Sequence, residues 1–142
     1  MSSERVFADT NFFLRYLTND VPEQADAIEQ LLKHAADGSL VLITNSLVIA
    51  EMVWTLESFY RLPRADVQAK IMAILNTPGL EVVEAETILQ AILWYVEKNV
   101  DYIDAFNAAW LLNHDLSMIL TFNQKHFRRF EQLKVRVPGE NG

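Results

Sequence analysis

Three isolated acids stand in stretches of sequence that otherwise have the pattern of a buried core. Asp9 ends the apolar run "RVFAD", Glu51 interrupts "NSLVIAEMVWTL", and Asp104 lies near the start of "YIDAFNAAWLL". Burying an unpaired charge is costly, so each acid needs a partner. If the three converge to about 5 Å, each pair repels by about 3 kcal/mol at an effective dielectric near 20. A divalent cation would neutralise all three.

The residue types narrow the choice of cation. The chain has no cysteine and no suitably spaced pair of histidines, so the ligands are oxygens. Oxygen ligands favour Mg²⁺, with Mn²⁺ as a substitute, over Zn²⁺. The sequence therefore predicts a magnesium site if the acids meet.

Each acid also has a purely structural explanation. Asp9 can cap the helix that follows it, and Asp101 and Asp104 have the spacing of an N-cap residue and the third helical residue. These explanations stay open. Glu51 is harder to explain in this way, because it projects from a mainly apolar helical stripe. Its neighbours at three and four residues are Leu47, Val48, Trp54 and Thr55.

The elements that must position these acids alternate between strand and helix patterns. Five short apolar runs predict strands: "RVFAD", "LVLIT", "LEVVE", "SMILTF" and "LKVRV". The segments between them have helical spacing. Asp20 with Glu23 is expected to cap the second helix, and Asn45 to cap the helix after "LVLIT". Strands without strict alternation predict a mostly parallel sheet covered on both faces. We expect a single domain over 1–142, an α/β three-layer fold with a central sheet of four or five strands flanked by helices.

Parallel strands bring their carboxyl ends to one edge of a sheet, where ligands bind. Asp9 ends the first predicted strand, Glu51 lies about one turn into the helix after "LVLIT", Asp104 lies in the first turn of its helix, and Asn123 follows "SMILTF". We therefore expect these four positions at the same edge.

Composition limits the partners and the compartment. The net charge of the 142 residues is −7, which argues against a broad nucleic-acid-binding face. A basic segment near the carboxyl end, with Lys125, Arg128, Arg129, Lys134 and Arg136, is either a solvated surface or a local patch that attracts phosphates. The absence of cysteine, of a visible secretory signal and of a membrane-spanning run predicts a cytoplasmic protein with no membrane partner.

Four motifs in order resemble those of PIN-domain ribonucleases, and most of all the toxin component of VapBC-type toxin–antitoxin systems. They are "VFADTNFFLRYL", "NSLVIAEMVWTL", "VDYIDAFNAAWLL" and "MILTFNQKHF". The resemblance implies a PIN-like fold in which Asp9, Glu51 and Asp104 are catalytic and bind Mg²⁺. It also implies that Thr10 and Asn11 orient Asp9 or contact the scissile phosphate.

The remaining site residues have more than one expected role. Arg15 either contacts the substrate phosphate or is an ordinary surface arginine, and Asp101 either supports the metal ligands or caps its helix. Thr121 keeps the small hydroxyl of the family. Family members usually carry a fourth acid two or five residues beyond it, where this chain has Asn123 and His126. One metal ion is therefore expected rather than two. His126 could be a general acid or a phosphate contact, but it is expected to be an ordinary loop histidine.

The activity implied by the resemblance is hydrolysis of RNA. Magnesium would lower the pKa of a bound water and orient it for attack on a phosphodiester, leaving a 5′-phosphate. The implied partners are a cognate antitoxin and a second copy of the nuclease in a homodimer. The alternatives are a catalytically degenerate PIN-like binding module and a housekeeping RNA-processing nuclease. A phosphoacceptor signalling domain is disfavoured, because the strand "SMILTF" is not followed at once by a basic residue.

Overall fold

The computed structural model describes residues 4–139, which form five strands and seven helices. In chain order these are β1 (Glu4–Phe7), α1 (Thr10–Thr18), α2 (Pro22–Ala36), β2 (Leu40–Thr44), α3 (Ser46–Ser58), α4 (Arg64–Leu75), β3 (Leu80–Val82), α5 (Ala85–Glu97), α6 (Tyr102–Asn113), β4 (Met118–Leu120), α7 (Gln124–Phe127) and β5 (Lys134–Arg136). The chain divides into two compact units, Met1–Ala85 and Glu86–Gly142. The prediction of a single domain over 1–142 stays a prediction.

The first unit contains a three-stranded parallel sheet with β2 in the centre. Phe7 of β1 is in register with Ile43, and Thr44 is in register with Val82 of β3. Helix α2 packs on β2, and α3 contacts both α1 and α4. The buried side chains of α3 and α4 include Ile49, Met52, Val53, Leu56, Val67 and Ile71. This sheet carries Asp9 at the carboxyl end of its first strand.

The second unit contains a two-stranded parallel sheet and three helices. Ile119 of β4 is in register with Val135 of β5. Its core contains Tyr95 and Phe130, both almost fully buried, and Trp94 meets Phe130 edge-on with ring centroids 4.9 Å apart. This unit carries Asp104 near the start of α6 and Asn123 after β4.

The predicted α/β class, with parallel strands flanked by helices, is confirmed. All five predicted strands form, but within residues 4–139 they are distributed over two sheets of three and two strands rather than one central sheet. Strands β4 and β5 have three residues each and pair with each other. Such short strands have few backbone groups with which to hold a further neighbour.

Local capping signals have mixed outcomes. Asn45 caps α3 as expected, since its side-chain oxygen accepts a hydrogen bond from the backbone N–H of Val48 at 3.1 Å. The expected cap of α2 by Asp20 is wrong. The N-cap of α2 is Val21, without a side-chain hydrogen bond, and Pro22 begins the helix. Proline has no N–H to satisfy and its φ suits the first helical position, so α2 needs less help from a cap.

Among residues 4–139, no helix combines the length and the apolar character needed to cross a bilayer.

Candidate functional site

The carboxylate of Asp104 is the most highly connected of the three predicted catalytic acids. It lies in the first turn of α6, and its Oδ2 is 2.8 Å from Nδ1 of His126. The side-chain amide of Asn123 donates a hydrogen bond to the same oxygen at 3.2 Å. The side chains of Asp104 and His126 are each only 17% exposed. Both positions at which the family usually has a fourth acid therefore contact Asp104.

The proton on the His126 ring follows from the competing contacts of Nδ1. The backbone N–H of Asp101 points at this nitrogen from 3.5 Å, whereas Asp104 Oδ2 lies at 2.8 Å. One ring nitrogen cannot donate to the carboxylate and accept from the N–H in the same state. The shorter contact is the stronger one. Nδ1 therefore carries the hydrogen and donates a hydrogen bond to Asp104. Asp101 Oδ2 lies farther away, at 3.7 Å.

Asp101, Asp104 and His126 form a group that could hold a metal ion. Each offers one ligand atom, and these atoms lie within 4.8 Å of one another. Two carboxylates and an imidazole suit a divalent cation. Within residues 4–139 the second unit therefore contains a candidate metal site, which we call the Asp101–Asp104–His126 cluster. His126 lies in the short helix α7 and contacts Asp104, and its role stays a prediction.

Two local features of the chain build this cluster. Asp101 is the N-cap residue of α6 by position, but its side chain makes no capping hydrogen bond, so the capping explanation does not hold for it. The chain turns after β4 where the Thr121 hydroxyl accepts a hydrogen bond from the backbone N–H of Asn123 at 2.9 Å. Helix α7 follows, and its buried Phe127 anchors the element that carries His126.

In the first unit, Asp9 is held at the end of β1 by bonds to its neighbours. Its Oδ1 accepts a hydrogen bond from the backbone N–H of Phe12 at 3.1 Å, so the capping role expected for it is real. Just before it, Ala8 donates to the carbonyl of Ile43 at 2.8 Å and accepts from the hydroxyl of Thr44 at 2.9 Å. Thr44 is fully buried. Thr44 was not among the predicted site residues. The one feature of the sequence that points to it is its hydroxyl at the end of the apolar run "LVLIT".

Asp9 also lines a cleft beside α1. This cleft, of about 500 Å³, is lined by Asp9, Asn11, Phe12, Arg15, Gln24, Ala27 and Ile28. Asn11 is exposed there, whereas Thr10 is buried. The cleft therefore brings together three of the predicted site residues, Asp9, Asn11 and Arg15, while Thr10 packs inward.

The charge of Arg15 is already paired. Its guanidinium donates to both carboxylate oxygens of Asp20 at 3.2 Å, and the hydroxyl of Tyr60 donates to Asp20 Oδ2 at 3.0 Å. The hydrogen bond from Tyr60 lowers the pKa of Asp20 most, with smaller contributions from Thr18 and Arg15. Asp20 therefore stays ionised and holds Arg15 in place.

Glu51 does not lie on a buried stripe, and that expectation is wrong. It is exposed, and its neighbours Leu47 and Trp54 are 79% and 66% exposed. Helix α3 buries the opposite face, which carries Ile49 and Val53 among others. Because α3 is apolar on almost all sides, its periodicity does not tell which face is buried.

Of the basic segment near the carboxyl end, one arginine has a structural role. The Arg129 guanidinium donates to the backbone carbonyl of Lys98 at 3.1 Å and to that of Asn99, and Lys98 Nζ donates to the carbonyl of Arg129. The other members of the segment are exposed: Lys125, Arg128, Lys134 and Arg136.

The predicted residues thus form one group in each unit. Asp9, Asn11 and Arg15 share the cleft of the first unit, where Glu51 is exposed on α3. Asp101, Asp104 and Asn123 come together in the second unit, with His126 added. Joint binding of one cation by Asp9, Glu51 and Asp104 stays a prediction.

Comparison with known proteins gives three results. The model of the PIN domain family matches residues 6–133. A VapC ribonuclease of Aquifex aeolicus (strain VF5) is 26% identical over 129 residues, which cover 91% of this chain and 92% of that protein. A crystal structure of VapBC2 from Rickettsia felis, bound to a DNA fragment from their promoter, is 16% identical with a TM-score of 0.39, over 94% of this chain and 98% of that one.

Proposed function

Because the chain belongs to the PIN domain family, we propose that it is a metal-dependent endoribonuclease and the toxin of a toxin–antitoxin pair. The resemblance carried by the four sequence motifs is confirmed by the family match and by the similarity to a VapC ribonuclease. The observation that carries the proposal is the environment of Asp104, whose carboxylate shares a metal-ligand cluster with a second acid and an imidazole.

Asp9, Glu51 and Asp104 are proposed to bind the cation, Mg²⁺ or Mn²⁺. Of these three, Asp104 has direct support, because it belongs to the Asp101–Asp104–His126 cluster, whose ligand atoms lie within 4.8 Å of one another and fit a divalent cation. When bound, a divalent cation provides an activated water and offsets the negative charge that develops on the phosphate.

The protein's own side chains hold these ligands in place. Asn123 fixes the orientation of Asp104 through its amide hydrogen bond, and Thr121 fixes Asn123. The hydrogen bond from Phe12 holds one oxygen of Asp9, and Thr44 holds the backbone before it. Preorganised ligands of this kind do not have to reorient when the substrate reacts.

The substrate contacts are proposed to lie in the cleft of the first unit. The exposed amide of Asn11 offers a donor to a phosphate oxygen. Arg15 lines the same cleft, and only its Nη1 bonds to Asp20, so its other N–H groups can bind a phosphate without breaking the ion pair. A single-stranded or structured RNA fits this arrangement better than a long regular duplex, since the net charge is −7.

The proposed partners are an antitoxin and a second copy of the nuclease, and the proposed location is the cytoplasm. An exposed apolar face on α3 supports a protein partner. Leu47, Trp54 and the adjoining Phe59 are 79%, 66% and 74% exposed. Such exposed aromatic residues are common at interfaces.

The test is an RNA cleavage assay with partner-free protein. The wild type is compared with Asp9→Asn and Glu51→Gln in Mg²⁺, Mn²⁺ and EDTA. We expect each variant to lose about 100-fold or more in rate, the usual size for losing a group that stabilises developing charge. The matched control is Asp26→Asn, an exposed acid of α2, and its rate should match the wild type. Persistent cleavage by both folded variants would remove the proposal.

A second candidate function is favoured by one observation, the absence of an acid at positions 123 and 126. A catalytically degenerate binding module would bind RNA and cleave none at any concentration of Mg²⁺ or Mn²⁺. A housekeeping nuclease, by contrast, would cleave RNA without arresting growth when it is expressed alone. Growth arrest that is relieved by a neighbouring small DNA-binding protein supports the toxin.

A further inference from the structure

We infer that His126 is a metal ligand together with Asp101 and Asp104, and that this cluster binds a divalent transition metal, such as Mn²⁺ or Co²⁺, more tightly than Mg²⁺. The inference rests on the proposed function in that it concerns the metal of the same nuclease. It adds an imidazole to a ligand set that the sequence had predicted to consist of oxygens alone.

The distances between the ligand atoms suit one shared ion. His126 Nδ1 is 2.8 Å from Asp104 Oδ2 and 3.7 Å from Asp101 Oδ2, and the ligand atoms of all three residues lie within 4.8 Å. Transition metals bind such atoms at about 2.1 Å, so two ligands at right angles lie about 3.0 Å apart and two opposite ligands about 4.2 Å apart. The cluster needs only small side-chain movements to surround an ion.

Packing and hydrogen bonds hold His126 against Asp104. Asp104 and His126 are both 17% exposed in their side chains, and Asn123 holds Asp104 from a second direction. The neighbouring Phe127 is 4% exposed and anchors α7. Packing therefore holds His126 against Asp104, whereas the side chain of Asp101 is 68% exposed.

The chemistry of imidazole then sets the metal preference. Mg²⁺ prefers oxygen ligands and keeps several waters, whereas imidazole nitrogen suits transition metals. A histidine at this position also supplies one negative charge fewer than the acid usual in the family. The lost charge weakens the binding of every divalent cation, whereas the change from an oxygen to a nitrogen ligand weakens Mg²⁺ binding more than Mn²⁺ or Co²⁺ binding. A nitrogen ligand requires the proton on Nδ1 to leave or move to Nε2 when the ion enters, so binding replaces the hydrogen bond to Asp104.

The test measures metal binding without reference to catalysis. Metal-free protein is titrated calorimetrically with Mn²⁺, Co²⁺ and Mg²⁺, and the Mn²⁺-loaded protein is examined by pulsed electron paramagnetic resonance for coupling to a nitrogen nucleus. We expect Mn²⁺ or Co²⁺ to bind at least about tenfold more tightly than Mg²⁺, and the nitrogen coupling to be present. A wild-type protein with equal affinities and no nitrogen coupling overturns the inference.

Two substitutions and one control identify the nitrogen. His126→Ala should abolish the nitrogen coupling and lower the Mn²⁺ affinity by about tenfold or more, as the loss of a ligand does. His126→Asp restores the family's acid and should abolish the nitrogen coupling and shift the preference toward Mg²⁺, which keeps the test valid if the alanine variant folds poorly. The control is His114→Ala, an exposed histidine of the same unit stacked on Trp110, and it should bind metals as the wild type does.

The outcomes separate this inference from the proposed function. If the wild type cleaves RNA in Mg²⁺ and both His126 variants keep its metal preference, the inference is wrong and the nuclease function stands. If the cluster binds Mn²⁺ through His126 and no RNA is cleaved with any metal, the nuclease function is wrong and the inference stands.

Discussion

At the scale of single residues, the proposed metal site depends on the side chains that contact Asp104. The oxygen that contacts His126 also accepts the amide of Asn123, so two donors occupy the place where a fourth acid usually adds negative charge. These donors keep the carboxylate oriented in the absence of metal. They also leave the site with fewer charges to attract a hard cation.

Restoring the fourth acid at position 123 should therefore lower the stability of the metal-free protein and raise its affinity for Mg²⁺. In Asn123→Asp, a carboxylate replaces an amide that lies 3.2 Å from Asp104 Oδ2, so two like charges face each other. We expect a lower melting temperature in EDTA than for the wild type, and a larger increase when Mg²⁺ is added. Thermal denaturation with and without Mg²⁺ measures both effects.

The matched control is Asn107→Asp, an exposed asparagine of α6. Its melting temperature should respond to Mg²⁺ as that of the wild type does. An Asn123→Asp variant with the same Mg²⁺ response as this control would show that position 123 does not contribute to a metal site.

At the scale of elements, Asp9 depends on the junction between β1 and β2. The Thr44 hydroxyl donates to the carbonyl of Ala8 inside the fully buried end of β2, and this bond holds the residue before Asp9. Thr44→Val keeps the shape and removes the donor. We expect the free energy of unfolding to fall by about 1–2 kcal/mol, because a buried carbonyl loses its partner.

Urea denaturation measures this change, and Thr77→Val is the control. The Thr77 hydroxyl donates an exposed hydrogen bond to the carbonyl of Ala73 in the last turn of α4, so its replacement should cost less than about 0.5 kcal/mol. Equal effects of the two substitutions would mean that the Thr44 bond does not hold the strand junction. The cleavage rate should fall with Thr44→Val alone.

A second element-scale prediction concerns the contact between Tyr60, which follows α3, and Asp20, which lies between α1 and α2. The Tyr60 hydroxyl is the main cause of the lowered pKa of Asp20. Tyr60→Phe should raise this pKa toward its ordinary value, as measured by NMR titration of the carboxyl group. Tyr16→Phe, in which the phenol of an exposed tyrosine of α1 is removed, is the control and should leave it unchanged.

The sign of the pH effect follows from the direction of the shift. A lowered pKa in the folded state stabilises the fold above the unfolded-state pKa, and this stabilisation is lost as the pH falls through the folded-state value. The wild type should therefore lose more stability than Tyr60→Phe over that acidic range. An unchanged Asp20 titration in Tyr60→Phe would contradict the assignment.

The same scale shows what local patterns could predict. The strands were located correctly, and the cap of α3 by Asn45 and the cap of α1 by Asp9 were both recognised from local sequence. The exposure of Glu51 was not predicted, because the spacing in a helix with apolar residues on almost all sides does not indicate which face is buried. The contact between His126 and Asp104 joins residues 22 positions apart, and local periodicity contains no information about it.

At the scale of the whole molecule, the negative net charge of the protein opposes the binding of RNA, which is also negative. The net charge is −7, so binding of RNA phosphates must depend on local cations. Lys125 and Arg128 are exposed near the candidate cluster in sequence, whereas Arg129 holds the backbone carbonyls of Lys98 and Asn99. The two exposed residues are therefore the members of the segment to test first.

Neutralising these two charges should weaken RNA binding without changing stability. We expect the double variant Lys125→Gln and Arg128→Gln to bind RNA less tightly and to reduce the salt dependence of binding, since fewer counterions are released. Fluorescence anisotropy over a range of salt concentrations measures both. The control neutralises Lys33 and Arg61, two exposed cations of the first unit. Equal losses in the two double variants would mean that only overall charge matters.

The most direct test of the central claim is cleavage of end-labelled RNA by the wild type and Asp104→Asn, followed by analysis of the product ends. Glu97→Gln, an exposed acid at the end of α5, is the control. We expect products with a 5′-phosphate in Mn²⁺ or Mg²⁺ and no products in EDTA. The cleavage rate of Asp104→Asn should be about 100-fold or more lower than that of the wild type. Undiminished cleavage in EDTA, or by folded Asp104→Asn, would contradict this claim.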